Sequence, residues 1–477
     1  MPWHPSYRGR VLEPDYLFAS QHLVPHFLHA ICAHLEAVAR LPVAQGVRTQ
    51  AEIGALHEAL YALELEPLPA QGPDVPDAYF AIQRELEAKL GAHAVSWLRI
   101  GLSRNDLDMT VYRMRARELL LATGEQLLTL RRAVLEMAQA HLETVLIAQT
   151  HHQPGQPTTV AHYLAAVEAL IARDSERLVA AYGRLNRCPL GAAALAGSSH
   201  PLDRDLTAEL LGFDEPVTNT YDAVASSDWE AEVVGVAQSV ALSLSRFVCD
   251  LLAWAGQGWY RLADDLVQGS SIMPQKRNPV ALEHARTRFS RALGAAQMVL
   301  YSSHNIPYAD LNDFGPDVQG ALQMQHVQLT GGIDLLLACL RGGAFDVARL
   351  AQAAALTDTT ATELADELVR GAHLPFPEAH ALVARLVARL QASGRPLVEA
   401  TPEDVTALGG PELTAAALAD ALDPEAFVRR RGGLGGPAPD AMTGELERAR
   451  QRLAQDAAAL EGRRQALSRA GEALRAS

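Results

Sequence analysis

Three short segments of this 477-residue chain carry residues whose types and spacing suit acid–base chemistry on an anion. The first is Gly269-Ser270-Ser271-Ile272-Met273-Pro274-Gln275-Lys276-Arg277-Asn278-Pro279. Small residues open it, Pro274 stiffens it and a Lys-Arg-Asn cluster closes it, so a hydroxyl and a cation share one flexible loop. The second, Thr150-His151-His152-Gln153-Pro154-Gly155-Gln156-Pro157, is expected to be a polar loop between two long helices. It supplies histidine, the side chain suited to moving protons near neutrality. The third, Ser103-Arg104-Asn105-Asp106, opens a helical pattern, and a helix N-terminus presents free N–H donors that favour anions. Each segment alone also reads as an ordinary loop or cap. Together they supply hydroxyls, an arginine, a lysine, amides and a histidine with few acids, which fits a carboxylate-rich ligand.

Other chemistry finds little support. There is no zinc-protease His-Glu-x-x-His, no phosphate-binding P-loop, no nucleophile elbow and no dinucleotide glycine motif after a strand. His22, His26, His29 and His34 stand at helical spacing, but without cysteine or acidic ligands nearby they are expected to be packed or surface side chains; no metal or cofactor is expected. Cys32, Cys188, Cys249 and Cys339 are far apart and form no Cys-x-x-Cys pair, which argues against disulfide stapling and structural zinc. Three of them read as core residues. Arg429-Arg430-Arg431 before Gly432-Gly433 reads as a turn after a helix end rather than an anion loop.

The elements that must position these segments are helices. Between Asp106 and Val145 there is no proline and one glycine, Gly124. A second proline-free stretch runs from Thr158 to Arg187. A third starts at Ser227, where Ser227-x-x-Glu230 is a plausible capping box, and its apolar residues Val233, Val236, Val240, Leu244, Phe247, Leu251 and Trp254 recur at helical steps. Further helical pattern runs from Pro279 to about Ser303 and from Val318 to about Leu340. Several helices far longer than the usual ~11–12 residues imply a long bundle. The expected organisation is all-α, with an N-terminal helical domain over 1–104, a central long-helix bundle over 105–355 and a C-terminal helical domain over 356–477. The charged stretch from Thr443 onward is expected to be a solvated helix.

Composition agrees. Apolar residues make up 49% and aromatic residues 5%, a mixture that favours helix over sheet. The 41 Lys+Arg against 56 Asp+Glu give a net charge of −15, which argues against a nucleic-acid partner but leaves room for a small anion held by local cations. The opening MPWHPSYRGR lacks the apolar stretch of a signal peptide, and no uninterrupted apolar run spans a membrane. A soluble cytoplasmic protein is the default.

Gly269–Pro279 resembles the signature loop of the aspartase/fumarase superfamily, whose members eliminate a group from a succinyl unit to give fumarate. Within it the chain is similar to the argininosuccinate lyase family. Ser103–Asp106 matches the family's Ser-Arg-Asn-Asp, and Thr150-His151 with Gln153 its Thr-His-x-Gln. Pro189-Leu190-Gly191, Ala196-Gly197 and Pro201-Leu202-Asp203-Arg204 resemble a further family segment, continued by Asp222-Ala223-Val224. The Gly432-Gly433 region fits the family's C-terminal glycines, so the likeness covers essentially the whole chain.

The resemblance implies anti β-elimination from an N-substituted aspartate. Ser270 would be the base, Lys276 and Asn278 would hold the dianionic intermediate, and His151 would protonate the departing nitrogen with Glu283 as its helper. Ser103, Arg104, Asn105, Thr150, Gln153 and Tyr308 would bind substrate, with Ser20 joining them on weaker support. It also implies a homotetramer whose shared active sites draw the three segments from different subunits, and a signature loop that closes as a lid. The departures gather on the leaving-group side. After Pro307 and Tyr308 the family's Asn-Lys pair is reduced to Ala309, its glutamine becomes Asn312, and its last lysine falls at Gly315. Leu107 replaces a glutamine and Ser227 an arginine. Near Asp77, a histidine and a glutamate become Tyr79 and Gln83. The substrate is therefore expected to be argininosuccinate or a related N-substituted aspartate; adenylosuccinate lyase chemistry and a non-catalytic bundle of the same fold are the rival readings.

Overall fold

A computed structural model describes residues 3–476; Met1, Pro2 and Ser477 lie outside it. The chain is almost wholly helical. Among the described residues, four helices of ten residues or more precede the bundle: α1 (Glu13–His22), α2 (Val24–Ala39), α3 (Val47–Glu64) and α4 (Ala78–Leu90). The bundle consists of α5 (Arg104–Ala140), α6 (Val160–Leu185), α7 (Asp228–Gln257), α8 (Val280–Ser302) and α9 (Pro316–Arg341). At 37 residues α5 spans about 55 Å. Beyond it come α10 (Ala361–Ala372), α11 (Phe376–Ala392), α12 (Pro424–Arg429) and the 38-residue α13 (Pro439–Ala476).

Each proline-free stretch becomes one long helix because nothing interrupts its backbone ladder and its apolar stripe has a partner to pack on. All seven stripe residues of α7, from Val233 to Trp254, are buried. By length and composition α7 is also apolar enough to cross a membrane, but half of that window is buried in the core. One large core joins α2–α9 with α13, and a second, smaller core lies among residues 364–422. The last helix differs from expectation: α13 is not merely a solvated surface. Met442, Leu446, Ala449, Leu453, Leu460 and Leu474 are buried in the large core, a sparse stripe that its many charged residues hide.

Two further expectations change. Thr150–Pro157 is a β-hairpin rather than a loop. β1 (Val145–Thr150) pairs antiparallel with β2 (Gln153–Thr159), and His151-His152 form the two-residue turn. The two prolines of β2 are tolerated because a two-stranded ribbon is all edge. The proposed capping box at Ser227 does not form: its side chain caps nothing. Glu230 turns inward instead, fully buried beside Arg113, with Gln319 Nε2 donating to it at 3.4 Å. The capping box exists at Ser103, where the Asp106 carboxylate accepts from the Ser103 N–H at 3.0 Å.

The histidines of the N-terminal region are packed as expected. His26 meets Glu118 at 3.0 Å and His29 meets Glu64 at 3.2 Å. His34 is fully buried, and burial pushes it down to about 4, so its ring is neutral. No group of three metal-ligating side chains exists among the described residues. Cys32, Cys188 and Cys339 are buried and Cys249 is exposed, all as free thiols. Arg430 and Arg431, just after α12, pair with buried Glu363 at 3.3 and 2.8 Å, a structural clasp at a helix end.

The bundle closes on its final helix through charge. Fully buried Arg131 of α5 contacts Glu168 of α6 at 2.9 Å and Asp456 of α13 at 2.6 Å. Removing Arg131 strands the Glu168 carboxylate without water, whereas Asp456 stays partly exposed. Arg131→Met is expected to cost about 3–5 kcal/mol in denaturant unfolding, and the double variant Arg131→Met/Glu168→Leu to recover most of it. Equal losses in both variants would show that packing, not the stranded charge, is responsible.

Candidate active site

The three chemistry-bearing segments stand at ends of long helices, at three places on the chain. The signature loop is a seven-residue excursion pinned at its base by two short strands, β3 (Gln268–Gly269) and β4 (Arg277–Asn278). Arg277 anchors that stem, donating to the Leu262 carbonyl at 2.9 Å and pairing with Asp264. It is therefore a structural member of the Lys-Arg-Asn cluster. Ser270 is half-buried, and its Oγ accepts from the backbone N–H groups of Met273 at 3.1 Å and Ile272 at 3.4 Å. Lys276 is exposed and Asn278 half-buried at the end of the stem. Ile272, at the loop's tip, is 84% exposed, so the loop presents apolar surface that closure would cover. Glu283 lies exposed in the first turn of α8.

The hairpin carries Thr150, His151 and Gln153, all exposed. The turn residues His151 and His152 hold φ values of 53° and 60°. Both central residues of such a hairpin turn need positive φ, which usually selects Asn-Gly. Histidine there carries a conformational cost of the kind that gathers at functional sites. The expected His151–Glu283 dyad is not made within one chain: no hydrogen bond or ion pair joins them among the described residues.

The third segment is anchored by Asp106. Its carboxylate is fully buried and accepts three backbone N–H groups: Ser103 at 3.0 Å, Gly191 at 2.8 Å and Ala193 at 2.9 Å. Burial pushes its pKa up to about 6, against the pull of those N–H groups. Gly191, Ala193, Leu195 and Gly197 all hold positive φ, so one carboxylate ties a strained loop to the head of α5. Arg204 closes the same loop from behind, donating to Leu190 and Val217 carbonyls at 3.1 and 2.7 Å. Sequence reading missed this role, although Ser103-x-x-Asp106 has capping-box spacing.

Asn105 donates to Asp310, and Ser103 to Asn105. This places the helix head against the 308–312 segment. Tyr308 stacks on Tyr221 with ring centroids 5.8 Å apart and donates to Asp222 at 2.7 Å. Burial, and then that bond, push its hydroxyl up to about 12. Arg104 is not a free cation: Asp77 and Asp108 clasp its guanidinium, Asp108 at 2.8 Å. Ser20 donates to the Tyr16 carbonyl at 2.7 Å, which occupies its proton within α1. Beside Arg104 lies a cavity of about 270 Å³ bounded by α1, residues 76–80, α5 and the start of α9. Asp15 and Asp108 on its wall are both pushed up to about 6, chiefly by burial. Within one chain the structure thus joins Ser103, Arg104 and Asn105 to the 308–312 segment, and leaves the hairpin and signature loop apart from them.

Comparison with known proteins fits this geometry. Residues 25–294 match the family described as Lyase, and residues 358–429 match the argininosuccinate lyase C-terminal family. Argininosuccinate lyase of Methanoculleus marisnigri is 37% identical over 456 residues, covering 93% of this chain and 90% of the relative. Argininosuccinate lyase 2 of Agrobacterium fabrum is 33% identical over 450 residues, covering 92% and 88%. Among solved structures, EDDS lyase in complex with formate superposes with a TM-score of 0.88 at 30% identity, covering 99% of this chain and 95% of that one. A class II fumarase from Schistosoma mansoni shares the fold alone, with a TM-score of 0.68 at 16% identity over 84% of this chain and 90% of its own. Helical bundle and signature loop define a lyase of the aspartase/fumarase superfamily. More narrowly, the chain belongs to the argininosuccinate lyase family and is a carbon–nitrogen lyase.

Asp106→Asn tests the anchoring of the helix head. It replaces a carboxylate oxygen by an NH2 group facing backbone N–H donors. It is expected to lower stability by about 1–3 kcal/mol and to raise the KM for substrate more than it lowers kcat. Unchanged stability and KM would show that the three N–H groups do not depend on the carboxylate.

Proposed function

We propose that this enzyme removes the nitrogen substituent of an N-substituted aspartate by anti β-elimination and releases fumarate, with Ser270 as the base. The observation that carries this reading is the pair of backbone N–H groups aimed at Ser270 Oγ. Donors to the charged form favour it, and a serine hydroxyl, too weak an acid on its own, needs such help to act as an alkoxide. Loop closure over bound substrate would remove water and strengthen those bonds.

The proton leaves the carbon next to a carboxylate, and the charge spreads into that carboxylate as an aci-dianion. Stabilising it is the largest demand on the site. Lys276 and Asn278, on the same loop stem, supply a cation and an amide for it. The C–N bond breaks, and His151 protonates the departing nitrogen, oriented by Glu283. Thr150, Gln153, Ser103 and Asn105 hold the succinyl carboxylates, with Ser20 and Tyr308 at the margin. Arg104, already clasped by two carboxylates, acts by fixing the helix head. A variant of EDDS lyase with the same fold holds bound fumarate, which supports the product assignment.

The three segments would meet between subunits of a homotetramer. Two observations support this. No hydrogen bond or ion pair joins them within one chain among the described residues, and the long helices leave Leu242, Met298, Tyr301, Met324 and Val327 between 45% and 72% exposed. Surface of that kind on helix flanks marks an interface. Light scattering is expected to give four chains per particle; a monomer with full activity would contradict the shared site.

Ultraviolet detection of fumarate from argininosuccinate, adenylosuccinate and a panel of other N-substituted aspartates tests the reaction. Ser270→Ala is expected to lower turnover by roughly a hundred- to ten-thousandfold while leaving folding and substrate binding in place. Unchanged turnover would reassign the base, and no fumarate from any substrate would end the lyase reading.

A further inference from the structure

The cavity beside Arg104 has a charge inventory that bears on the leaving group. Asp15, Asp77 and Asp108 line it, and Arg104 is the one lysine or arginine on its wall. That arginine is paired with Asp77 and Asp108, so the cluster is negative as a whole. Asp15 has no ion-pair or hydrogen-bond partner among the described residues. Tyr112 adds an independent sign of a ligand. It is 4% exposed, it lines the cavity, and its hydroxyl makes no hydrogen bond among the described residues. A polar side chain so deeply buried usually has a hydrogen-bond partner, and this one is free to meet a ligand in the cavity. Phe18, Phe27 and Phe80 make the intervening wall apolar. The volume, about 270 Å³, lies just under the ~300–1,000 Å³ usual for small ligands.

The one cationic side chain on the cavity wall is already held by two carboxylates, which leaves no spare cation for a carboxylate of the leaving group. Gly315, at the foot of α9, is buried and brings no side chain, and a Cβ there would stand in tight contact, 3.2 Å from the Leu311 carbonyl oxygen. Asn312 supplies an amide to the wall and no charge.

We propose that this cavity receives the leaving amine of the elimination, and that this amine carries a second ammonium group and no carboxylate; the substrate class is an N-(aminoalkyl)aspartate. The assignment rests on the lyase reading and narrows it. Asp15 and Tyr112 take the far ammonium, the phenylalanines cover the methylene chain, and the near nitrogen lies by Asn105 and Asp310. In the elimination the C–N bond breaks and the near nitrogen gains a proton as fumarate forms; in the reverse direction the amine nitrogen bonds one fumarate carbon and the other carbon takes the proton.

The reverse reaction tests this with simple reagents. Wild-type enzyme is mixed with fumarate and one of four amines: diaminopropane, propylamine, β-alanine or arginine. Loss of fumarate absorbance gives the rate. The expected result is a kcat/KM for diaminopropane about ten- to a hundredfold above those for propylamine and β-alanine, with arginine also below it. Asp15→Asn and Tyr112→Phe, each shown to be folded by circular dichroism, are expected to raise the KM for diaminopropane several-fold. Equal or faster addition of β-alanine or arginine overturns the proposal, as does an unchanged KM for diaminopropane in both variants. Consumption of no amine, with fumarate still released from argininosuccinate, overturns the amine class and leaves the lyase reading standing. Failure of both directions with every substrate removes the lyase reading and the proposal together.

Discussion

One buried carboxylate holds the chemical end of this molecule in place. Asp106 accepts N–H groups from the head of α5 and from a loop whose residues sit at positive φ. Without an acceptor those donors would be buried unpaired and the loop would have no reason to keep its costly backbone. With it, Ser103, Arg104 and Asn105 are set at a fixed point on a 37-residue helix. The bundle then does the rest. Long rigid helices carry each functional segment to an end, so the distances between segments are set by packing along the whole helix rather than by local loop structure.

The long helices were legible because an unbroken stripe at helical spacing has only one way to be buried. The superfamily-like loop was legible because its residues are adjacent in the chain. Other features were hidden for physical reasons. The hairpin was masked by two prolines and a His-His turn where Asn-Gly is the usual signal. Two segments, Ser103-x-x-Asp106 and Ser227-x-x-Glu230, have capping-box spacing, and local sequence does not rank them. What separates them is tertiary: Glu230 is drawn into the core beside Arg113 and Gln319, whereas Asp106 meets waiting N–H groups. The cavity was invisible for the same reason. Asp15, Asp77, Asp108 and Tyr112 come from three elements, and no spacing connects them.

The fold also reassigns charges that composition and motif treat alike. Arg104 and Arg277 stand in segments read as cationic, yet each is paired with acidic partners and serves to fix backbone. Lys276 stands exposed on its loop, available to an arriving anion. The succinyl half of the proposed substrate and the leaving-group half thus face opposite electrostatic settings, one with an unclasped lysine and one with surplus carboxylates. A substrate bridging them would be oriented by that polarity before any hydrogen bond forms.

The crowding at Gly315 has a consequence for how this enzyme can change. A lysine there takes two base changes from any glycine codon, and its Cβ would stand 3.2 Å from the Leu311 carbonyl oxygen, so the backbone must also give by a few tenths of an ångström. A cation at this point needs both the changed codon and a small adjustment of the segment from Pro307 to Gly315. Coupled changes of this kind are rarer than either alone. The mutational distance to a cation at this point is therefore longer than a comparison of residue types implies.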